Sequence, residues 1–324
     1  MRQRPLWLQA VLTSAPSGAE RINEIWTLRT RDRHVILRSP LFVPGNKANM
    51  LEKALALSPD AYVPDMEDSV PAAEKGNARE TIRSFLPRLA ATGIPVIPRV
   101  NSLDTEWVEA DLAAVVGAEI FGVSIGKVRR AADIAAVARL LDGLERRAGL
   151  PAGKVRLLPW IETAEAIVNC DAICRASERI VAVAFGGEDF TNDMGIERLE
   201  DESQVAYARQ RLCVTARAAH VLALDTPYLK LRDPDGLRGN ALRAKSIGFK
   251  GKFAIHPEQI AALNECFSPS AQEVAHAQRI VAAFEEAERR GRASTSLDGW
   301  VIDVPVVKRA RALLELAARA RAER

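Results

Sequence analysis

Short apolar runs recur along the chain, and between them lie longer stretches whose apolar residues fall at helical spacing. The runs lie at 35–43, 61–65, 95–100, 119–124, 155–161, 180–185, 220–224 and 252–255. Most are continuous rather than alternating, the pattern of parallel strands covered on both faces. The stretch 46–57 sets Met50, Leu51, Ala54 and Leu55 on one face. Those at 73–89, 105–116, 163–175 and 202–219 follow the same period. The stretch 131–148 opens near Asp133 and ends near Arg146 and Arg147, which suits the helix dipole.

Repeated strand–helix alternation predicts an α/β chain folded as a (β/α)8 TIM barrel. A doubly wound sheet for a dinucleotide would need a GxGxxG after its first strand, and Gly45 alone does not supply it. Beyond 255 the pattern predicts a helix at 257–264, a long helix at 270–290, a Gly/Ser/Thr-rich hinge at 291–296 and a last helix at 306–322. A barrel closes without this tail, which reads as an appended helical lid or oligomer contact. The expected domains are an N-terminal extension over 1–34, the barrel over 35–266 and the C-terminal segment over 267–324.

Composition narrows the function. Of 324 residues, 48% are apolar and 27% charged, enough for one large core. A net charge of +3 with 5% aromatics is too mild for a nucleic-acid partner but suits an anionic small molecule. Cys170, Cys174, Cys213 and Cys266 show no zinc spacing and read as buried thiols of a reducing, cytoplasmic compartment. No apolar run approaches the roughly 20 residues of a membrane span. The stretch 6–12 is short and broken by Gln9, so the N-terminal segment reads as a loosely attached extension.

Barrels of this class place their chemistry at the C-terminal strand ends. Those ends carry Lys47, then Asp65, Glu67 and Asp68, then Arg99, Lys127, Glu162, the run Gly186-Gly187-Glu188-Asp189, then Asp225 and His256. The opposite ends are duller. Glu162 and Asp189, on successive strands, form an oxygen pair suited to one hard divalent cation. Three acids after the second strand exceed what helix capping needs, so Asp65 and Glu67 are candidates for the pocket. Arg99 reads as an anion-binding fork. Lys127 is a candidate substrate cation.

Several of these stretches resemble the citrate lyase β-subunit family, the HpcH/HpaI aldolase superfamily of CoA-ester lyases. The matching residues are Arg38-Ser39-Pro40-Leu41-Phe42-Val43-Pro44-Gly45, Pro64-Asp65-Met66-Glu67-Asp68-Ser69-Val70 with Lys75 and Arg79, Pro98-Arg99-Val100-Asn101, Ile161-Glu162-Thr163-Ala164 and Phe185-Gly186-Gly187-Glu188-Asp189-Phe190. Later come Leu224-Asp225-Thr226-Pro227-Tyr228, Ile255-His256-Pro257 and Ile302-Asp303-Val304-Pro305. The family often has Leu-Pro-Lys where this chain has Ile125-Gly126-Lys127.

The resemblance implies a homo-oligomer, trimer or hexamer, with Mg²⁺ (or Mn²⁺) on Glu162 and Asp189. It implies that Arg99 stabilises an enolate and that Asp303 serves a neighbouring subunit as acid/base. It implies a CoA thioester substrate, its phosphates met by Arg38 and Lys47. The expected reaction is reversible Claisen cleavage of a 3-hydroxy-carboxyacyl-CoA into an acyl-CoA and a 2-oxo acid. In the mechanism so implied, Gly186 and Gly187 let backbone N–H groups approach the oxo-acid carboxylate. The alternatives are a CoA-independent metal-dependent 2-oxo acid aldolase and a non-catalytic subunit of a larger lyase complex.

Overall fold

The computed structural model describes residues 35–322, so the extension expected over 1–34 lies outside the described residues. These residues form two compact units, 35–268 and 269–322. In the first, eight parallel strands follow one another in chain order. They are β1 Pro40–Pro44, β2 Ala61–Asp65, β3 Arg99–Val100, β4 Gly122–Ile125, β5 Arg156–Ile161, β6 Ala182–Phe185, β7 Leu222–Asp225 and β8 Gly251–Lys252. The ring closes where the amides of Lys252 and Ala254 donate to the carbonyls of Arg38 and Pro40 at 3.0 and 2.8 Å, and that of Phe42 to Ala254 at 2.9 Å. The expected (β/α)8 barrel with an appended tail is therefore observed. β3 is short because Pro98 has no N–H to give a ladder.

The helices are α1 Ala48–Ala54, α2 Lys75–Ala90, α3 Val108–Val115, α4 Ala131–Arg147, α5 Ala164–Val168, α6 Cys170–Arg175, α7 Gly187–Met194, α8 Ala206–Ala218, α9 Pro234–Ile247 and α10 Pro257–Phe267. The apolar residues split by strand parity. Ala61, Val63, Ile97, Leu158, Trp160, Ala182, Ala184, Leu222, Leu224 and Phe253 fill the barrel interior. Their neighbours in sequence, such as Tyr62, Leu157, Ile161, Val183 and Phe185, pack under the helices. Both faces of each strand are thus buried, which is why the runs do not alternate with polar residues.

α9 escaped the sequence pattern. Its signal was present: Asp233 accepts the Gly236 amide at 2.9 Å as N-cap, Pro234 opens the first turn, and Gly248 ends the helix. The four cysteines are free and buried, as expected of small hydrophobes. Among the described residues, no helix is long and apolar enough to cross a membrane.

A buried ionic cluster locks β7 and β8 to α8. Asp225 accepts from Lys252 Nζ at 2.6 Å and from Arg209 Nη2 at 2.7 Å, and Arg209 also donates to Glu202 at 2.6 Å. Burial works against the Asp225 charge, yet Lys252 and Arg209 hold its carboxyl below the usual range. Parity explains the placement: Leu224 points inward, so Asp225 points into the wall. Asp225→Ala should cost about 3–5 kcal/mol in urea unfolding, because buried Lys252 loses its carboxylate and Arg209 is left with Glu202 alone. A loss under about 1 kcal/mol would show the cluster to be solvated.

The second unit contains α11 Ala271–Arg289, a hairpin of β9 Thr295–Leu297 and β10 Trp300–Ile302, and α12 Val304–Ala322. Ala277, Ile280, Phe284, Ile302, Val307 and Ala310 form its core. The expected hinge at 291–296 is shorter than read, since Thr295 and Ser296 begin β9. Asp298 and Gly299, at φ of 51° and 82°, make the tight turn, and Asp-Gly is the usual signal for such a hairpin.

Candidate active site

Strand parity that fills the barrel with Ala61, Val63, Ile97, Leu158 and Trp160 sends Asp65, Arg99 and Glu162 into its C-terminal mouth. Asp65 and Arg99 are level on neighbouring strands. Arg99 donates from Nε and Nη2 to the two Asp65 oxygens, both at 2.7 Å, a fork-to-carboxylate pair. The amides of Glu67 and Ser69 add bonds to Asp65 at 2.9 and 3.1 Å. Burial alone would raise the Asp65 carboxyl; the Arg99 charge and these bonds outweigh it and hold the group below the usual range. Arg99 itself stays a cation. Burial disfavours its charge, but Asp65, Glu67 and Asp68 more than restore it.

The remaining Arg99 nitrogen, Nη1, lies 3.1 Å from both Glu67 and Asp68. The guanidinium rests on aromatic faces, with its carbon 4.6 Å from the Phe42 centroid and 6.0 Å from that of Trp160. Phe253 stacks beneath, 4.5 Å from Trp160 and 5.0 Å from Phe42. The Trp160 indole N–H donates to Ser124 at 2.8 Å. This floor is apolar and largely buried, so charges above it interact strongly. Ser124 and Trp160 pass as core residues in the sequence, and Phe42, though inside a matching motif, was given no role in the site. Lys75, noted only as part of a matching motif, was given no role, and Asp111 was missed. Lys75 donates to the carbonyls of Met66 and Glu67 at 2.7 and 2.8 Å, and Asp111 holds the Asn101 amide at 2.9 Å. Lys75 thus fixes the loop that presents Glu67 directly, and Asp111 does so through Asn101, whose side-chain amide donates to the Met66 carbonyl at 2.9 Å.

Glu162 is buried at the end of β5, with only 3% of its surface exposed. Thr163 caps α5 by accepting the Ala166 amide at 3.1 Å, which leaves Glu162 to the mouth. Glu162 Oε1 accepts the Lys127 amide at 2.5 Å. Burial, then the charges of Glu67 and Asp189, push its carboxyl up to about 8. Asp189, in the first turn of α7, is raised as well, by burial first and then by the Asp68 charge. Glu67 is raised chiefly by burial, against the pull of Arg99 and Lys127.

Three acids held above their ordinary values in one mouth mark a place short of positive charge, and a divalent cation would supply it. Among the described residues no group of three or more His, Cys, Asp and Glu gathers as a closed metal cage. A two-carboxylate site is what Mg²⁺ accepts, since it keeps several waters. The donor set therefore fits Mg²⁺ on Glu162 and Asp189.

Three residues have surroundings the sequence did not foresee. The Gly187 amide is already donated to Thr226 at 3.2 Å and that of Gly186 to Ile161 at 3.4 Å, so neither is spare for a carboxylate. Gly186 matters by its missing side chain, because a Cβ there would lie 2.3 Å from Glu162 Oε2. Arg38 precedes β1, at the end of the barrel away from the mouth. It is bound to Asp60 at 2.7 Å and to Ser268 at 2.8 Å, which removes it as a phosphate ligand for a substrate entering the mouth.

Lys47 is exposed on the loop after β1, at the C-terminal end. Lys127 lies 3.1 Å from Glu67 and 3.6 Å from Asp68. His256 caps α10. Asp303 belongs to the second unit, where its carboxylate accepts the Val306 amide at 3.2 Å at the start of α12.

Residues 38–257 match the family model for HpcH/HpaI aldolase/citrate lyase. The chain is 35% identical over 280 residues to citrate lyase subunit beta of Leuconostoc mesenteroides subsp. cremoris, covering 86% of this chain and 93% of that protein. It is 38% identical over 267 residues to a (3S)-malyl-CoA thioesterase of Cereibacter sphaeroides, covering 82% of this chain and 89% of that one. Among solved structures, a Mycobacterium tuberculosis protein in complex with magnesium, acetoacetate and coenzyme A matches with a TM-score of 0.73 at 27% identity. That likeness covers 88% of this chain and 99% of the other.

Proposed function

Since the chain belongs to the HpcH/HpaI aldolase/citrate lyase family, we propose that it is a Mg²⁺-dependent carbon–carbon lyase acting on a CoA ester. It would split a 3-hydroxy-carboxyacyl-CoA into an acyl-CoA and a 2-oxo acid, or join them by Claisen condensation. One observation carries this reading. Burial at the mouth, and then the charges of Glu67 and Asp189, push the Glu162 carboxyl up to about 8, opposite an arginine fixed by Asp65.

Glu162 and Asp189 would hold the metal, with Mn²⁺ as a substitute. When bound, the ion supplies Lewis-acid polarisation of the oxo-acid oxygens. Arg99 would face the thioester oxygen and stabilise the negative charge that develops when the α-proton leaves. Asp68 is the most exposed of its partners, with 51% of its side chain accessible, so it is the one a substrate oxygen would displace. The aromatic floor and the Asp65 fork keep Arg99 aimed while that happens. Glu67 and Lys127 would orient waters and substrate oxygens beside the metal pair, and Lys47 would meet CoA phosphates at the rim.

Asp303 would exchange the α-proton, reaching the mouth of a neighbouring subunit in a homo-oligomer. Mixing inactive Glu162→Gln chains with inactive Asp303→Asn chains should then recover roughly a quarter of wild-type activity, since random assembly pairs intact halves. No recovery would remove Asp303 from a role in trans.

The reaction itself is tested by pairing 2-oxo acids with acyl-CoAs and reading condensation products by mass. A CoA adduct that requires Mg²⁺ is expected. An aldol product from a free 2-oxo acid and an aldehyde, without any CoA adduct, would make the chain a CoA-independent aldolase instead.

A further inference from the structure

Besides Asp65, four carboxylates, those of Glu67, Asp68, Glu162 and Asp189, share the mouth with two cations; one of these, Arg99, holds Asp65 by two hydrogen bonds and reaches Glu67 and Asp68 through its one remaining nitrogen, Nη1, at 3.1 Å. The other is Lys127, and its backbone has an uncommon shape. Its φ is 56°, a left-handed conformation that costs a non-glycine residue about 1–2 kcal/mol. The strain coincides with a double hold. The Lys127 amide donates to Glu162 at 2.5 Å, while its ammonium lies 3.1 Å from Glu67 and 3.6 Å from Asp68.

The preceding residue makes this possible. A Cβ on Gly126 would lie 2.8 and 3.0 Å from the two Glu67 oxygens and 3.0 Å from Glu162 Oε1. With no Cβ there, both carboxylates crowd onto one point beside the Lys127 backbone.

Glu67 and Asp68 are hard oxygen donors next to the metal ligand Glu162. In two-metal sites such carboxylates hold cations about 3.5–4 Å apart. Here the Lys127 ammonium stands on them instead, beside Arg99 Nη1. We propose that Lys127 is a built-in cation that restricts the mouth to one divalent ion, taking by its side chain the place a second ion would fill. The inference rests on the metal reading above. An ordinary surface ion pair would need no strained backbone and no glycine at its base, and would be worth only about 0–1 kcal/mol.

The decisive quantity is the number of Mn²⁺ ions bound per chain, counted by electron paramagnetic resonance of free Mn²⁺ and by calorimetry. Wild type and Lys127→Arg should each bind one. Lys127→Gly and Lys127→Asn, which both tolerate a left-handed backbone, should each bind two. Adding Glu67→Gln to Lys127→Gly should return the count to one. One ion per chain in both Lys127→Gly and Lys127→Asn, with affinity within twofold of wild type, would overturn the role given to Lys127. No ion bound by wild type would overturn the metal reading instead, so the two failures are distinct.

Discussion

Glu162→Gln is expected to abolish turnover and, without metal, to yield a protein more stable than wild type above pH 8. The sign follows from the raised carboxyl. In the folded chain Glu162 titrates at about 8 against an ordinary 4.5. Its protonated form is the one the fold accommodates. Stability is therefore full below about 4.5 and is lost as pH rises through about 8.

Over that window the loss is on the order of 5 kcal/mol, at about 1.4 kcal/mol per unit. Glutamine stays neutral and keeps the shape, so the loss disappears. Metal-free Glu162→Gln should melt roughly 5–10 °C above wild type at pH 9 and level with it at pH 5. Excess Mg²⁺ should then invert the order, because only wild type gains by binding. Calorimetric scans at the two pH values, with and without metal, check both parts. Identical pH profiles for the two proteins would sink the assignment of Glu162 as a crowded metal ligand.

Arg99→Lys should lower kcat by about 10²–10³, the usual loss when one fixed donor to a developing oxyanion goes. Charge is kept in this variant, so a smaller effect would mean that charge alone suffices. Lysine cannot grip both Asp65 oxygens, and it lacks the flat face that rests 4.6 Å above Phe42. Arg99→Ala should in addition unfold more readily by about 3–5 kcal/mol, since Asp65 is left buried and unpaired. Steady-state rates and urea melts on both variants separate the catalytic part from the structural part. A kcat for Arg99→Lys within tenfold of wild type would remove Arg99 from the chemistry.

Much of the barrel was legible because parallel strands need apolar residues on both faces, and the runs around Val63, Leu158 and Val183 announce that directly. The polar residues at the mouth were legible for the same reason, since polarity after such a run has few structural uses. Parity was the missing step. It separates Glu162, which faces the mouth, from Asp225, which faces the wall and pairs with Lys252, although both end strands. Periodicity also cannot see partners distant in sequence. Arg38 looked like a rim cation until Asp60 and Ser268 accounted for it, and Gly186 looked like an amide donor until Thr226, Ile161 and Glu162 surrounded the pair. α9 was lost because its buried stripe of Leu237, Ala241 and Ala244 is made mostly of small residues and includes the polar Asn240, so the cap at Asp233 was its clearest mark.

Arg38 gains a different importance from how the ring is sealed. β1 and β8 are the first and last strands of the barrel, and the contacts that join them are among the least local in the chain: the Arg38–Ser268 bond spans 230 residues. During synthesis, chain emerges in order and early segments must wait for late ones. Until Ser268 has left the ribosome, Arg38 can hold Asp60 but not its second partner, and until Lys252 has, Asp225 has only Arg209. The nascent barrel is therefore an open, curved sheet with two unpaired edges and a half-neutralised carboxylate at its seam. Closure is a late, polar event, and the time spent waiting for it is the interval in which a chaperone would find an edge to hold.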